Sequence, residues 1–356
     1  MTLEEVAAHA GVSTATVSRV ARGVGQVSAP TRDRVTAAIA ELGFRPSHFG
    51  RALVERRHSA LGVVLPGLSG PYHSEVIAGF EEEAVASRLS VLILGTHLLR
   101  EARDLVLDMA DRVDGIAVLG GSVPDEIVDD LVARGCPVVQ LAGTHRPGRV
   151  TIRTESAEAV RALTTHLLTE HRYERLAFVG SPTGSPDGAA RWQGFRQAHR
   201  DAGRPVPRRP VLASHDQTGG LRAAEVLFDA RTPPRAVVCV NDEAALGVLV
   251  AALGRGLAVP ADVAITGFDD HPAAALTAPG LTTIRQPMRE LGARAVRALR
   301  DVIEHGLGGG SEDVLPTSPI LRASCGCPAS APTDRDTRRR LRKHAAPHRR
   351  STAPLP

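Results

Sequence analysis

From Ala60 onward the chain alternates short apolar runs with longer stretches of helical spacing, and it does so in two successive series. The first comprises "ALGVVLP" (60–66), "SVLILG" (90–95), "DGIAVLG" (114–120) and "PVVQLA" (137–142), with helical stretches at 73–88, 100–111 and 124–134 between them. The second comprises "RLAFVG" (175–180), "RAVVCV" (235–240) and "DVAITG" (262–267), separated by helices near 187–202, 217–230 and 242–255. Continuous apolar runs of this length are the pattern of strands buried on both faces. A helix between successive strands implies right-handed crossovers and parallel sheets. Two series therefore predict two doubly wound α/β lobes, which bind ligands at the carboxyl ends of their strands.

The first 46 residues follow a different pattern, that of three short helices. Thr2-Leu3-Glu4-Glu5 has capping-box spacing, and Leu3, Val6, Ala7 and Ala10 fall on one helical face. Gly11 ends that helix and Ser13 caps a second across a tight turn, the arrangement of a helix-turn-helix. A third helix runs from about Ser28 to Leu42, with Pro30 in its first turn, Val35, Ile39 and Leu42 inward, and Gly43 just past its end. The second helix, within "GVSTATVSRVARG" (11–23), presents hydroxyls, a methyl and a single Arg instead of mixed charge. Such a surface suits the major groove of DNA, where N-terminal residues of a helix reach base edges and hydroxyls hold phosphates. A helix packed within a core would carry larger apolar residues at positions 14, 15, 18 and 19.

The charge distribution agrees. Residues 1–57 hold eight Arg and five acids, net +3; residues 328–356 hold seven Arg, one Lys and two Asp, net +6. The whole chain is only +4, so the body between them is acidic. Basic ends and an acidic body point to a polyanion met by the ends. The tail after Cys327 is rich in Pro, Ala and Arg without apolar periodicity, the composition of a solvated, disordered extension.

Other classes are disfavoured. No apolar run approaches 18 residues and no basic-then-apolar leader opens the chain, which predicts a cytoplasmic protein working at the nucleoid, with no membrane partner. Four cysteines (136, 239, 325 and 327) are too scattered for a disulfide framework. Cys136 and Cys239 sit in apolar runs as core residues. Cys325-Gly326-Cys327 has the form of half a metal site, but no neighbouring pair in the sequence completes it, so neither a metal nor a cofactor is expected. No G-x-S-x-G elbow, P-loop or dinucleotide fingerprint occurs, and Gly23-Val24-Gly25 follows no strand, so an enzyme is not expected. A solute-binding protein would share two lobes but would carry an export signal and no DNA-binding head.

"TLEEVAAHAGVSTATVSRV", followed by "VSAPTRDRVTAAIAELGFRP", resembles the head of the lactose-repressor (LacI/GalR) family of bacterial transcription regulators. "GVVLPGLSGPY", "VNDEAALG", "VPADVAITGFDD" and "LTTIRQP" resemble that family's effector domain, in the family's order, so the likeness runs from Thr2 to about Cys327. The resemblance implies a helix-turn-helix domain at 1–46, a hinge helix at 47–57, a periplasmic-binding-protein-like bilobal effector and dimerisation domain at 58–327, and the basic tail at 328–356. It implies a homodimer on double-stranded DNA at a pseudo-palindromic operator, repressing transcription under control of a small-molecule effector, a sugar or sugar derivative. The family's tetramers use a C-terminal leucine heptad, which this tail lacks.

Carried over residue by residue, Thr14 and Ala15 occupy the pair that reads base edges and Arg19 the position that approaches a guanine. Ser13, Thr16 and Ser18 take backbone contacts, and Thr2, Ser28 and Thr31 join the DNA-binding set. Ala15 has no hydrogen-bonding group, so its readout is apolar, as against a thymine methyl. Arg22 stands where the family usually has Asn. Leu53 matches the hinge wedge that enters the minor groove and kinks the operator, and Gly50 replaces the usual Ala, at about 1 kcal/mol of helix propensity.

For the effector, the resemblance implies Tyr72 and His73 from the first strand–helix loop, then Arg191, Asn241 and Asp269, with Tyr72, Trp192 and Phe268 as an apolar wall. A guanidinium, an amide and a carboxylate converging on a cleft suit vicinal hydroxyls or a polar heterocycle. Structural alternatives stand beside these roles: Arg191 pairing with Asp187, and Asp269 capping a turn. Two departures bear on the ligand: Ala142 replaces a frequent Asp, and Arg153-Thr154 replaces a typical Asp-Asn. The resulting loss of a carboxylate and gain of a cation leaves room for an acidic sugar or a phosphate.

Overall fold

The computed structural model describes residues 2–44, 57–97, 102–306 and 310–328 of the 356-residue chain. Residues 47–56 of the expected hinge helix, Gly50 and Leu53 among them, lie outside the described residues, as does the tail from residue 329.

The head is α1 (Leu3–Ala10), α2 (Thr14–Arg22) and α3 (Ala29–Glu41). Its caps follow the sequence. The Glu5 amide donates to Thr2 Oγ1 (3.3 Å) and the Thr2 amide to Glu5 Oε2 (2.7 Å), closing the capping box. Gly11 turns the chain at φ 60°, and Ser13 Oγ accepts the Thr16 amide at 3.3 Å to open α2. Helices this short do not persist alone. They are held by a small common core of Val6, Ala7, Ala10, Val17, Val35, Ala38 and Phe44.

The first lobe contains β1 (Ala60–Leu65), α4 (Pro71–Ala86), β2 (Ser90–Gly95), α5 (Arg103–Ala110), β3 (Gly115–Leu119), α6 (Asp125–Ala133), β4 (Val138–Leu141) and β5 (Val150–Thr154). The chain then crosses to the second lobe. That lobe holds α7 (Ala157–Thr169), β6 (Leu176–Val179), α8 (Pro186–Asp201), α9 (Gln217–Phe228), β7 (Ala236–Cys239), α10 (Asp242–Gly254), β8 (Ala264–Thr266), α11 (Pro272–Leu276) and β9 (Thr283–Arg285). It returns for α12 (Met288–His305) and β10 (Ser311–Leu315), and crosses a third time to β11 (Ser318–Ile320) and a 3₁₀ turn at Ala323–Cys325.

The first sheet has the order β10-β5-β4-β3-β1-β2, all parallel, and the second is β6-β7-β8, also parallel. β9 and β11 form a small antiparallel pair. The doubly wound, two-lobed class expected from the apolar alternation is therefore present. Two details differ. "SVLILG" reads as a strand buried on both faces, yet β2 is the sheet edge and only half covered. "VTIRT" and "SEDVL" are too polar to read as buried runs, yet as β5 and β10 they complete the opposite side of that sheet.

Helix α12 returns to the first lobe and packs along α4, sharing a core of Val76, Phe80, Leu291, Ala295 and Leu299. The approach depends on glycine. A Cβ on Gly292 would fall within contact distance of the Val76 carbonyl oxygen, and one on Gly79 would strike the Arg289 carbonyl. Gly292→Ala gains about 1 kcal/mol of helix propensity but forces the two backbones apart, at about 1–3 kcal/mol or more. The expected outcome is net destabilisation, read as a lower urea midpoint with an unchanged slope; a raised midpoint would contradict the packing.

Candidate functional site

In the head, α2 buries Val17 fully while Ser13, Thr14, Ala15 and Arg19 stay exposed and Thr16 and Ser18 half-buried. The residues expected to meet DNA thus form one surface-facing strip opposite the core. Ser13 Oγ and Thr16 Oγ1 lie 3.0 Å apart, and Ser28 Oγ donates to Thr31 Oγ1 (2.9 Å) at the start of α3. With exposed Thr2, these hydroxyls sit at three helix N-termini, where free amides and the helix dipole favour phosphate oxygens. The Arg19 stem runs beside Gly25, whose added Cβ would be 3.2 Å from Arg19 Cδ.

The second constellation lies where the strands of both lobes end. Tyr72 and His73 occupy the first turn of α4, not the preceding loop as the sequence suggested. Asp187 and Arg191 stand one turn apart on α8, and Asp269 follows β8. Arg191 Nη1 donates to the Val240 carbonyl at 2.8 Å and lies 3.9 Å from Asp269 Oδ1; Nη2 lies 3.8 Å from Asp187 Oδ2. The guanidinium also covers the Phe268 ring, 3.7 Å from its centroid. One cation thus serves two carboxylates without a close contact to either. Arg191 Nε and Tyr72 Oη are buried with no hydrogen-bond partner, an expensive state for polar atoms unless a ligand supplies one.

Burial sets the protonation states. It pushes Asp269 up to about 7 against the opposing pull of Arg191 and Gln286, and it raises Asp187 as well. Burial, then the Asp187 and Asp269 carboxylates, hold the Tyr72 phenol well above its ordinary value, so it is a donor at any physiological pH. Asp269 has φ 118°, a strained conformation for a residue with a side chain. It is held by its amide bond to the Ile284 carbonyl (2.8 Å) and by Gln286 Nε2, which donates to Asp269 Oδ1 at 2.5 Å. Gln286 in turn accepts from Thr154 Oγ1 (2.7 Å), so the carboxylate is tied to two of the three inter-lobe crossovers.

Because its folded pKa is raised, Asp269 costs nothing below about pH 4, where it is protonated folded or unfolded, and its full penalty applies only above about pH 7. Asp269→Asn keeps an acceptor for Gln286 and removes the buried charge. It should therefore stabilise the ligand-free protein by about 1–4 kcal/mol at pH 8 and by little at pH 4. Thermal melts across that range check this, and a gain independent of pH would mean the charge is not the cause.

Other expected effector residues are engaged structurally. Asn241 caps α10, with Oδ1 accepting the Ala244 amide (3.0 Å) and Nδ2 donating to the His215 carbonyl (2.9 Å). His73 Nδ1 donates to the Ser69 carbonyl at 2.9 Å while its ring meets Tyr72 edge-on. Trp192 packs on Phe178 and Phe195, with centroids 5.4 and 5.6 Å away. Ala142 is buried in the first-lobe core. Arg153 bonds Glu312 Oε1 at 2.7 Å at the sheet edge, and its charge also acts on Asp187. His215, whose imidazole is lowered by desolvation and by Arg191, also borders the site; nothing in the sequence around it gave a signal.

The family model for bacterial regulatory proteins of the lacI family matches residues 2–47, and that for a periplasmic binding protein-like domain matches residues 165–325. Catabolite control protein A of Priestia megaterium is 32% identical over 304 residues, 84% of this chain and 91% of that protein. The chain belongs to the LacI family. It is a DNA-binding transcriptional regulator, as its head predicts. Among solved structures, the lac repressor dimer bound to operator and the anti-inducer ONPF superposes with TM-score 0.81 at 26% identity, covering 91% of this chain and 99% of that one. A complex of the transcriptional regulator CelR with cellobiose gives TM-score 0.70 at 28% identity, with the same coverages. Among the described residues, no helix of this LacI-family chain is long and apolar enough to cross a membrane.

Proposed function

We propose that this regulator acts as a homodimeric repressor, docking α2 in the major groove of each half of a pseudo-palindromic operator. A neutral polyhydroxylated effector, a sugar or sugar derivative, binds between its lobes and controls that docking. The observation that carries the effector reading is the pair of buried, unpartnered polar atoms, Tyr72 Oη from the first lobe and Arg191 Nε from the second. Both are donors and two carboxylates stand beside them, which matches hydroxyls that accept and donate at once. With one guanidinium shared by Asp187 and Asp269, and Arg153 engaged by Glu312, the charge balance disfavours an acidic sugar or a phosphate. That related proteins are solved with cellobiose and with an anti-inducer supports a small-molecule effector. The lobes approach each other at the rim, where a Cβ added to Gly70 would lie 2.9 Å from Glu243 Oε2.

The chain's single tryptophan, Trp192, follows Arg191 on α8 and is the fluorophore for the test. Its fluorescence is to be followed across neutral sugars, nucleosides, sugar acids and sugar phosphates. Saturable quenching by a neutral sugar or sugar derivative is expected. Binding confined to acids or phosphates would overturn the neutral class.

A further inference from the structure

Away from the head and the cleft, four side chains from two distant parts of the sequence converge at the outer end of the second lobe. His166 lies in the last turn of α7 and His171 just beyond it, while Cys325 and Cys327 flank Gly326 at the end of the 3₁₀ turn. The sequence offers no second pair near Cys325-Gly326-Cys327; the fold supplies one from about 155 residues upstream. We propose that these four residues form a Cys₂His₂ site for a structural zinc ion.

The distances carry this. His166 Nε2 and His171 Nε2 are 3.1 Å apart, and Cys327 Sγ lies 3.3 Å from the first and 3.5 Å from the second. Cys325 Sγ completes the group, with all four ligand atoms within 4.8 Å of one another. A tetrahedral zinc with its usual bond lengths sets edges of about 3.3 Å between nitrogens, about 3.6 Å between nitrogen and sulfur and about 3.8 Å between sulfurs. Without a metal the two imidazoles and the Cys327 thiol bond to one another and the Cys325 thiol turns to the Arg322 carbonyl at 3.3 Å, yet both sulfurs and both ring nitrogens still face one point, the arrangement a tetrahedral ion would bind. Two soft sulfurs with two imidazoles select zinc over hard cations.

The surroundings orient the ligands. Gly326 has φ 102°, and a Cβ there would sit 3.1 Å from His171 Cε1 and from Tyr173 Oη, so the close approach of the two cysteines to the histidines needs glycine. Tyr173 stacks on His171 (5.4 Å, 13°) and donates to the Cys325 carbonyl at 3.1 Å. The turn itself is pinned by Ser324, whose Oγ donates to the Ile265 carbonyl (2.6 Å) and accepts the Thr282 amide (2.8 Å). Four protein ligands leave no open position, so the ion's role is structural: it fastens the end of the effector domain to α7, the helix that follows the first crossover.

The test uses full-length protein without an affinity tag, purified under reducing conditions without chelator. Elemental analysis is expected to find about one zinc per chain. Cobalt substituted after chelation should give the intense visible bands of a tetrahedral site with a thiolate charge-transfer band, a readout that needs no variant. Cys327→Ser and His171→Gln should lower zinc content at least tenfold, while Cys136→Ser, outside the cluster, should retain it. Absence of metal, an octahedral cobalt spectrum, or full zinc retention in Cys327→Ser would each overturn the site.

Discussion

Replacing Arg191 with alanine is expected to weaken effector binding about ten- to hundredfold or more while operator affinity without effector stays within about twofold. A charge-assisted hydrogen bond contributes about 1.5–3 kcal/mol, and about 1.4 kcal/mol is one decade in affinity. Arg191 Nη1 is fixed on the Val240 carbonyl, which leaves Nε as the unpartnered donor for a ligand. Its loss also leaves Asp187 and Asp269 without their shared cation, and both are already raised by burial. They should therefore take up protons sooner than unfold the lobe. Arg191→Lys separates charge from geometry, because an ammonium keeps the cation but not the fork. Trp192 titrations measure the effector side and gel shifts the operator side. Unchanged effector affinity in Arg191→Ala would mean the ligand lies elsewhere.

What the sequence makes legible follows from the range of the interactions involved. Local signals were complete: Thr2 to Glu5 and Ser13 to Thr16 are three residues apart, and both caps form. The apolar alternation conveyed the parallel sheets because burial on both faces leaves a continuous run. It missed β5 and β10, whose polar residues reflect their place near the sheet edge and the inter-lobe crossovers. The cleft was legible only through motif resemblance, and then unevenly. Arg191 and Asp269 converge, 3.9 Å apart, and Asn241 caps a helix. The partner of Arg153 is Glu312, 159 residues away. The same holds for the histidines that meet Cys325 and Cys327. A pairing set by tertiary approach leaves no spacing to read.

Arg19→Ala is expected to cost the operator complex about 1–3 kcal/mol per half-site and to relax preference at one base pair in each half. Among the described side chains of α2, Val17 alone is fully buried, and Arg19 is exposed, so the substitution removes nothing from the head's core and stability should hold. The neighbouring readout positions, Thr14 and Ala15, carry a hydroxyl and a methyl, neither able to make the two-pronged contact a guanidinium makes with guanine. Most of the hydrogen-bonded discrimination available to this helix therefore resides in Arg19. Both half-sites of a dimer lose the contact together, so the effect on the whole operator approaches the sum of two. Competition binding against operator variants reads the change position by position. A phosphate contact would give a different signature, a uniform loss across sequences with a salt slope smaller by about one per head. Native affinity with native sequence preference would mean that α2 does not enter the groove.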